Sequence, residues 1–517
     1  MFIISILLHA ALVVAVPFYA THTRAAETSA STTERPKEAI ATDKDKVPPV
    51  EEKPVVTKHE VTVNGKHLKY TATAGTLPLI GAGGDAEAHV FFMAYTMDNA
   101  GPVGQRPLIF AFNGGPGSSS VWLHLGALGP KRVKLSEDGS MPPPPYLLTD
   151  NPETWLNQAD LVFIDPVGTG YSRAVKPDQA GKFLSLKGDI ESVGEFIRLY
   201  LTRYERWSSP LFLAGESYGT TRAAGLAGHL FERGIAFNGI ILISTVLNFS
   251  TISFTTGNEL PYPLFLPTYT ATAWFHKKLS PDLSRDLPAA LKEAENWATT
   301  DYLQALNKGD RLSPEERQET IKRLARYTGL DERYIDNSNL RIEARRFSKE
   351  LLREQKKTVG RYDSRLKGSD LFAAAEQPEF DPSLASVRPP FTSTFNNYIR
   401  SELGYKTDRE YYILGGGFDK WDWETKNSFA DTSEALRSAF SKNPFMKLFV
   451  ASGTFDLATP FLGTEYILNH LGLDKSLLQN ITTARYAAGH MIYTDAASRA
   501  QLNRDIAAFI RAAVPSR

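Results

Sequence analysis

At 517 residues, with 42% hydrophobic and 11% aromatic content, the chain can bury a large core, which excludes general disorder and suits two to four domains or one large α/β domain with insertions. Lys plus Arg (58) balance Asp plus Glu (58) and no basic run is interleaved with aromatics, so no nucleic-acid groove is expected and the partner should be small or neutral. With no cysteine, the chain has no disulfide, thiolate nucleophile, Cys-ligated zinc or lipidated N-terminal Cys.

Residues 2–20, FIISILLHAALVVAVPFYA, are almost wholly apolar and lead into the small residues of THTRAAETSA, the pattern of an export signal cleaved near Ala25 or Ala26. A signal peptide over 1–26 makes the protein periplasmic or extracellular. The stretch has no basic n-region and nearly spans a bilayer, so an uncleaved membrane tether is the alternative. Residues 27–58, rich in Thr, Pro, Glu and Lys, offer too little apolar surface to offset their ordering entropy and read as a disordered linker.

Ordered structure is expected from residue 59. EVTVNG and HLKYTATAG, joined around Asn64-Gly65, predict a hairpin; HVFFMAYTM and PLIFAFN are more continuously apolar, as strands covered on both faces are. Strand DLVFID (160–165), an amphipathic helix through LKGDIESVGEFIRLYLTRY, strand LFLAG (211–215), a helix over 218–233 and strand GIILIS (239–244) then alternate through short connections. That rhythm is the βαβ signature of a mostly parallel sheet. It stops over 248–396, where charged helical patterns (PEERQETIKRLARY, NLRIEARRFSKELLREQ) sit beside aromatic and Pro-rich segments. This segment is expected as a helical cap between a first core part, 59–247, and a second, 397–517. Strand and helix return at MKLFVASG (446–453), TEYILNHLG, ITTARYAAG and a last helix near SRAQLNRDIAAFIRAA, and there is no internal repeat.

Gly215-Glu216-Ser217-Tyr218-Gly219 fits G-x-S-x-G and lies between a buried strand and a helix, the placement a nucleophile elbow requires, so Ser217 is the expected nucleophile. In hydrolase order an acid and then a histidine must follow. Asp456 ends the run LFVASGTFD, and His490 sits in the Gly-flanked loop YAAGHMIYTD. Asp165 is the rival acid but precedes the nucleophile. His9 and His22 fall in the leader, His59, His67 and His89 in the early strands, His276 in the insertion and His470 at a helix end, where surface or capping roles are expected. His229 and Glu232 form H-x-x-E without a third ligand, so neither a metal nor any other cofactor is expected. An oxyanion hole needs the Tyr218 N–H and a second donor from an earlier strand-end loop, and the glycines of FAFNGGPGSSSVW (110–122) let backbone approach a ligand. No Gly-Lys-Ser/Thr follows them, which argues against a phosphate loop.

Asn113-Gly114-Gly115-Pro116-Gly117-Ser118-Ser119, Asp165-Pro166-Val167-Gly168-Thr169-Gly170-Tyr171-Ser172 and Gly215-Glu216-Ser217-Tyr218-Gly219, with Asp456 and His490 in late-strand loops, resemble the serine carboxypeptidases, peptidase family S10. The resemblance covers about 60–250 and 440–510. It implies an α/β-hydrolase fold, secretion, and removal of C-terminal residues from peptides through an acyl-enzyme, usually in acid. It assigns Ser217, Asp456 and His490 to the triad, Gly115 and Tyr218 to the oxyanion hole, and Asn113 and Glu216 to the substrate's terminal carboxylate. One position departs: the family's Glu-Leu-Gly-Pro here reads Ala127-Leu128-Gly129-Pro130, so a second carboxylate-binding Glu is missing. That keeps an esterase or acyltransferase using the same triad as the alternative, unless a basic or polar residue of the insertion compensates. A non-catalytic binding protein is disfavoured by the complete triad. The missing family disulfides point to a bacterial-type member. Arg361, Asp363 and Arg365, with the aromatics of YPLFLPTYTATAW, are read either as pocket lining or as cap packing and surface ion pairs. The substrate is a peptide or small acyl compound, and the oligomeric state is open.

Overall fold

The computed structural model describes residues 53–63, 65–415 and 420–514. The expected signal peptide over 1–26 and most of the expected linker lie outside the described residues. The linker's last residues do not match expectation, because strand β1 (Val55–Val63) begins inside it. Its alternation, VVTKHEVTV, puts one set of side chains on the partly to fully buried face of the sheet and the other in solvent.

β1 pairs antiparallel with β2 (Lys66–Ile80), and β2 with β3 (Ala86–Met97). The sheet continues through β4 (Leu108–Phe112), β5 (Asp160–Ile164), β6 (Leu211–Glu216), β7 (Gly239–Ile243), β8 (Lys447–Gly453) and β9 (Ile481–Tyr486) in the order β1-β2-β3-β5-β4-β6-β7-β8-β9, with Arg173–Ala174 pairing off this path to β3. From β5 to β9 every neighbouring pair is parallel. LIFAF, DLVFI and GIILI are buried at every position because helices cover both faces. Within β7, Ile240 and Leu242 pack on one side, towards helices α1 (Leu186–Arg203) and α2 (Tyr218–Phe231). Ile241 and Ile243 pack on the other. This mostly parallel sheet flanked by helices is the α/β-hydrolase fold.

Between β7 and β8 the chain is mainly helical. Helices α3 (Pro261–Phe275) and α4 (Pro314–Thr328) belong to a separate apolar cluster that meets the core at Phe455, Leu457 and Phe461. α4 starts at a capping box, in which Ser313 accepts from the Glu316 N–H and Glu316 reaches back to the Ser313 N–H. Helix α5 (Pro382–Ser401) corrects the expected boundary at 396/397, which falls inside it. Phe391, Phe395 and Tyr398 pack with Tyr95 and Phe163 of the sheet, so this helix belongs to the core. The terminal helix α6 (Ala496–Ala513) covers the same face.

Candidate active site

β6 delivers Ser217 to the carboxyl edge of the sheet. Ser217 holds φ 60° and ψ −131°, a conformation that costs a non-glycine residue and that the surrounding packing must impose. Its N–H donates to the Ile243 carbonyl at 3.0 Å, and its own carbonyl accepts the Thr220 hydroxyl at 2.7 Å. Both flanking glycines are required by space. A Cβ on Gly215 would strike the Gly219 carbonyl, and one on Gly219 would press on the Phe112 and Asn113 backbone. The turn can be this sharp only because nothing projects from its ends.

Asp456 follows β8 and His490 follows β9, and the fold brings them together: Asp456 Oδ2 lies 2.7 Å from His490 Nδ1. Asp456 is fully buried. Its Oδ1 accepts the Ala458 and Thr459 N–H groups at 2.7 and 3.0 Å, and Oδ2 also accepts the Thr459 hydroxyl at 2.7 Å. A carboxylate facing Nδ1 assigns the proton to that nitrogen and leaves Nε2 as an acceptor. The Ser244 hydroxyl donates to the His490 carbonyl at 2.6 Å, and the Tyr362 ring lies 4.9 Å from the imidazole. Ser217 and His490 line one cavity with Asn113, Gly115, Glu216 and Tyr362. Asp165 plays another part: its Oδ1 accepts the Ser120 N–H at 2.8 Å and fastens the glycine loop to the end of β5. Burial raises its carboxyl to about 7.

That glycine loop passes directly over the elbow. A Cβ on Gly114 would collide with the Tyr218 N–H, so the two backbones are in close contact. Gly115 takes φ 101° and is exposed, which opens its N–H side to a ligand. Among the described residues neither the Gly115 nor the Tyr218 N–H is paired with a backbone acceptor. Two unspent donors beside a serine hydroxyl are what a developing oxyanion requires.

Sequence reasoning missed the pair that braces this loop. Arg222 of α2 and Asp189 of α1 form a buried ion pair, Nε to Oδ2 at 2.8 Å. The Tyr218 hydroxyl donates to the same Asp189 oxygen at 3.0 Å, and the Arg222 guanidinium donates to the Asn113 carbonyl at 2.6 Å. A charged residue inside the small apolar run TTRAAGLAG was the available signal, since such a residue needs a partner.

Asn113 and Glu216 are adjacent. The Asn113 amide donates to Glu216 Oε1 at 2.9 Å, while its oxygen accepts the Leu123 N–H at 2.9 Å, which fixes the amide's orientation. Burial pushes the Glu216 carboxyl up to about 7; His490, Tyr493 and Asn113 oppose that rise and Asp456 adds to it. Ala127 is buried, and its carbonyl accepts the Asn151 amide N–H at 2.8 Å. The Tyr493 ring lies against Gly126, beside Ala127.

A larger cavity of about 490 Å³ adjoins the site and shares Tyr362 and Leu384 with it; Phe254, Phe265, Arg345 and Arg361 are among its walls. Arg361 and Phe265 therefore line a pocket. Asp363 and Arg365 are not among this cavity's walls. They pair with each other at 2.7 Å, and Arg365 reaches the Ala487 carbonyl at 2.7 Å, tying the insertion to the loop that carries His490. Tyr269 packs inside the cap on Phe347. His229 contacts Arg233 and Glu232 contacts Lys442, so the H-x-x-E pair is divided between neighbours, and among the described residues no group of three His, Asp or Glu could hold a metal.

The family model described as serine carboxypeptidase matches residues 76–494. The chain is 31% identical over 153 residues to serine carboxypeptidase-like 5 of Arabidopsis thaliana, covering 28% of this chain and 33% of that protein. It is 35% identical over 157 residues to the pheromone-processing carboxypeptidase KEX1 of Saccharomyces cerevisiae, covering 28% and 20%. These matches span a third or less of the relatives' own length. The crystal structure of KEX1Δp, a prohormone-processing carboxypeptidase from S. cerevisiae, shares the fold at a TM-score of 0.54 and 18% identity, covering 85% of this chain and 91% of that one.

Proposed function

Because the chain belongs to the serine carboxypeptidase family, we propose that it hydrolyses the C-terminal bond of peptides by acyl transfer to Ser217. His490 Nε2 takes the Ser217 proton as Oγ attacks the scissile carbonyl. The N–H groups of Gly115 and Tyr218 hold the oxyanion, and His490 then protonates the departing amine. Water enters, is deprotonated by His490 and releases the acyl group. Asp456, at 2.7 Å, keeps the imidazole in the working tautomer and offsets its charge.

The single observation that carries exopeptidase specificity is the Asn113–Glu216 pair at 2.9 Å beside Ser217. Two bare carboxylates repel, so Glu216 holds a substrate's terminal carboxylate only when protonated. With its carboxyl raised to about 7, Glu216 is mostly protonated in acid solution and half ionised near pH 7, so cleavage of free acids falls as pH rises through that value. The apolar stretch 2–20 supports export to the periplasm or beyond. Ala127, in place of a second carboxyl, favours one other reading, an esterase or acyltransferase on the same triad.

One N-blocked dipeptide as free acid and as amide, plus an activated ester, assayed from about pH 4 to 8 with Ser217→Ala as control, separates them. The proposal expects the free acid to be cleaved faster than the amide, most strongly in acid. Ester turnover without free-acid cleavage overturns it in favour of the esterase.

A further inference from the structure

Glu216 Oε1 is engaged by Asn113, but Oε2 is buried and completes no hydrogen bond among the described residues. The Tyr493 hydroxyl is buried in the same condition. The Tyr493 side chain lies within electrostatic reach of the Glu216 carboxyl. Tyr493 lies in the short turn Ile492–Thr494, which begins two residues after His490, and its ring fills the room that Gly126 leaves, since a Cβ there would collide with the ring carbons. Its hydroxyl interacts with both Glu216 and Asn113. Ala127 is the next residue after Gly126.

We propose that the Tyr493 hydroxyl stands in for the missing second carboxyl, donating to Glu216 Oε2 and so turning the Glu216 proton towards the terminal carboxylate of the substrate. The inference rests on the carboxylate-binding reading above and deepens it. Tyr493 is a positioning residue, because it acts through Glu216 and not on the reacting atoms. A phenol differs from a carboxyl in one consequential way: it stays a donor across the working range, since burial and the neighbouring Glu216 hold its proton well above the ordinary tyrosine value. A pair of carboxyls shares a single proton and changes its pattern as pH moves; a Tyr–Glu pair leaves only Glu216 to titrate. The other groups facing Glu216 are Asn113 from the glycine loop, His490 and Asp456 from the late-strand loops, and Tyr362 from the insertion.

Tyr493→Phe tests this, because it keeps the ring over Gly126 and removes only the hydroxyl. On the free acid and amide of one blocked dipeptide, with kcat and KM resolved from about pH 4 to 9, KM for the free acid is expected to rise roughly tenfold. Turnover of an activated ester, which has no terminal carboxylate, is expected to stay within about twofold and reports that the variant is folded. The alkaline limb of the free-acid profile should move to higher pH, because a donor to the ionised form has been lost. An ester-active Phe variant whose free-acid KM and alkaline limb both match wild type overturns the proposal. A wild type with no preference for the free acid overturns the carboxylate reading and this inference together, and is recognised before any substitution at 493. Incorporating 3-fluorotyrosine throughout the wild-type chain gives a second reading without a substitution: the stronger donor should move the alkaline limb down, and an unmoved limb contradicts the proposal.

Discussion

Asp456→Asn is a small change with a large expected consequence, because the surrounding hydrogen bonds decide which way the new amide points. Oδ1 accepts two backbone N–H groups, from Ala458 at 2.7 Å and Thr459 at 3.0 Å. An Asn must therefore keep its oxygen there, which puts its NH2 where Oδ2 now sits, 2.7 Å from His490 Nδ1. The Thr459 hydroxyl, which donates to Oδ2 at 2.7 Å, can rotate to accept from that NH2, so the variant keeps its hydrogen bonds and its fold. His490 then has to accept at Nδ1 and carry its proton on Nε2, the nitrogen meant to receive the Ser217 proton. Wrong-tautomer imidazole in such a triad costs about 10⁴ in kcat, or roughly 5.5 kcal/mol of transition-state stabilisation. Steady-state ester and peptide turnover, with circular dichroism to verify the fold, measures it. A loss below about tenfold in a folded variant would refute the assignment of Asp456 as the orienting acid.

Glu216→Gln removes the group raised to about 7, so the free-acid profile should lose its fall through that pH, with ester turnover following only the remaining titrations; kcat/KM against pH measures both. Asp165 is likewise raised to about 7 by burial, so its contribution to stability is complete below about pH 4 and lost as pH rises through 7. Asp165→Asn keeps the acceptor for the Ser120 N–H and should flatten the stability–pH curve by up to about 4 kcal/mol between those limits in denaturant titrations. His124, buried and held neutral down to about 3, works in the opposite sense and is unchanged in the variant, so the difference isolates Asp165. Arg222→Leu leaves Asp189 buried without its partner and should cost about 3–5 kcal/mol by chemical denaturation, partly recovered in the double variant with Asp189→Leu.

The parallel half of the sheet was legible because full burial leaves an unbroken apolar record: LIFAF, DLVFI and GIILI have no solvent face to mark. The elbow was legible because its sterics demand glycine at both ends, and Asp456 and His490, the candidates that chain order picks out, lie 2.7 Å apart. β1 hid inside a segment read as linker, since its residues 55–60 alternate only between partial and full exposure. α5 was obscured by Pro389 and Pro390, which mark a break in sequence terms; packing of Phe391, Phe395 and Tyr398 on the sheet outweighs the lost helical hydrogen bonds. Arg222 and Asp189 lie on different helices, so their pairing exists only once α1 and α2 are side by side. Tyr493, within HMIYTD, has the look of an ordinary packing aromatic until the space over Gly126 is known.

The central claim, that Ser217 carries the acyl group of a peptide cleaved at its free C-terminus, is tested most directly by trapping. Wild-type protein quenched in acid during turnover of an N-blocked dipeptide free acid, then digested and weighed, should carry the acyl mass on the fragment containing Ser217, preceded by a burst of released amino acid. Ser217→Ala should show neither. Undiminished cleavage of the free acid by Ser217→Ala, or an acyl mass on any other fragment, would contradict the account.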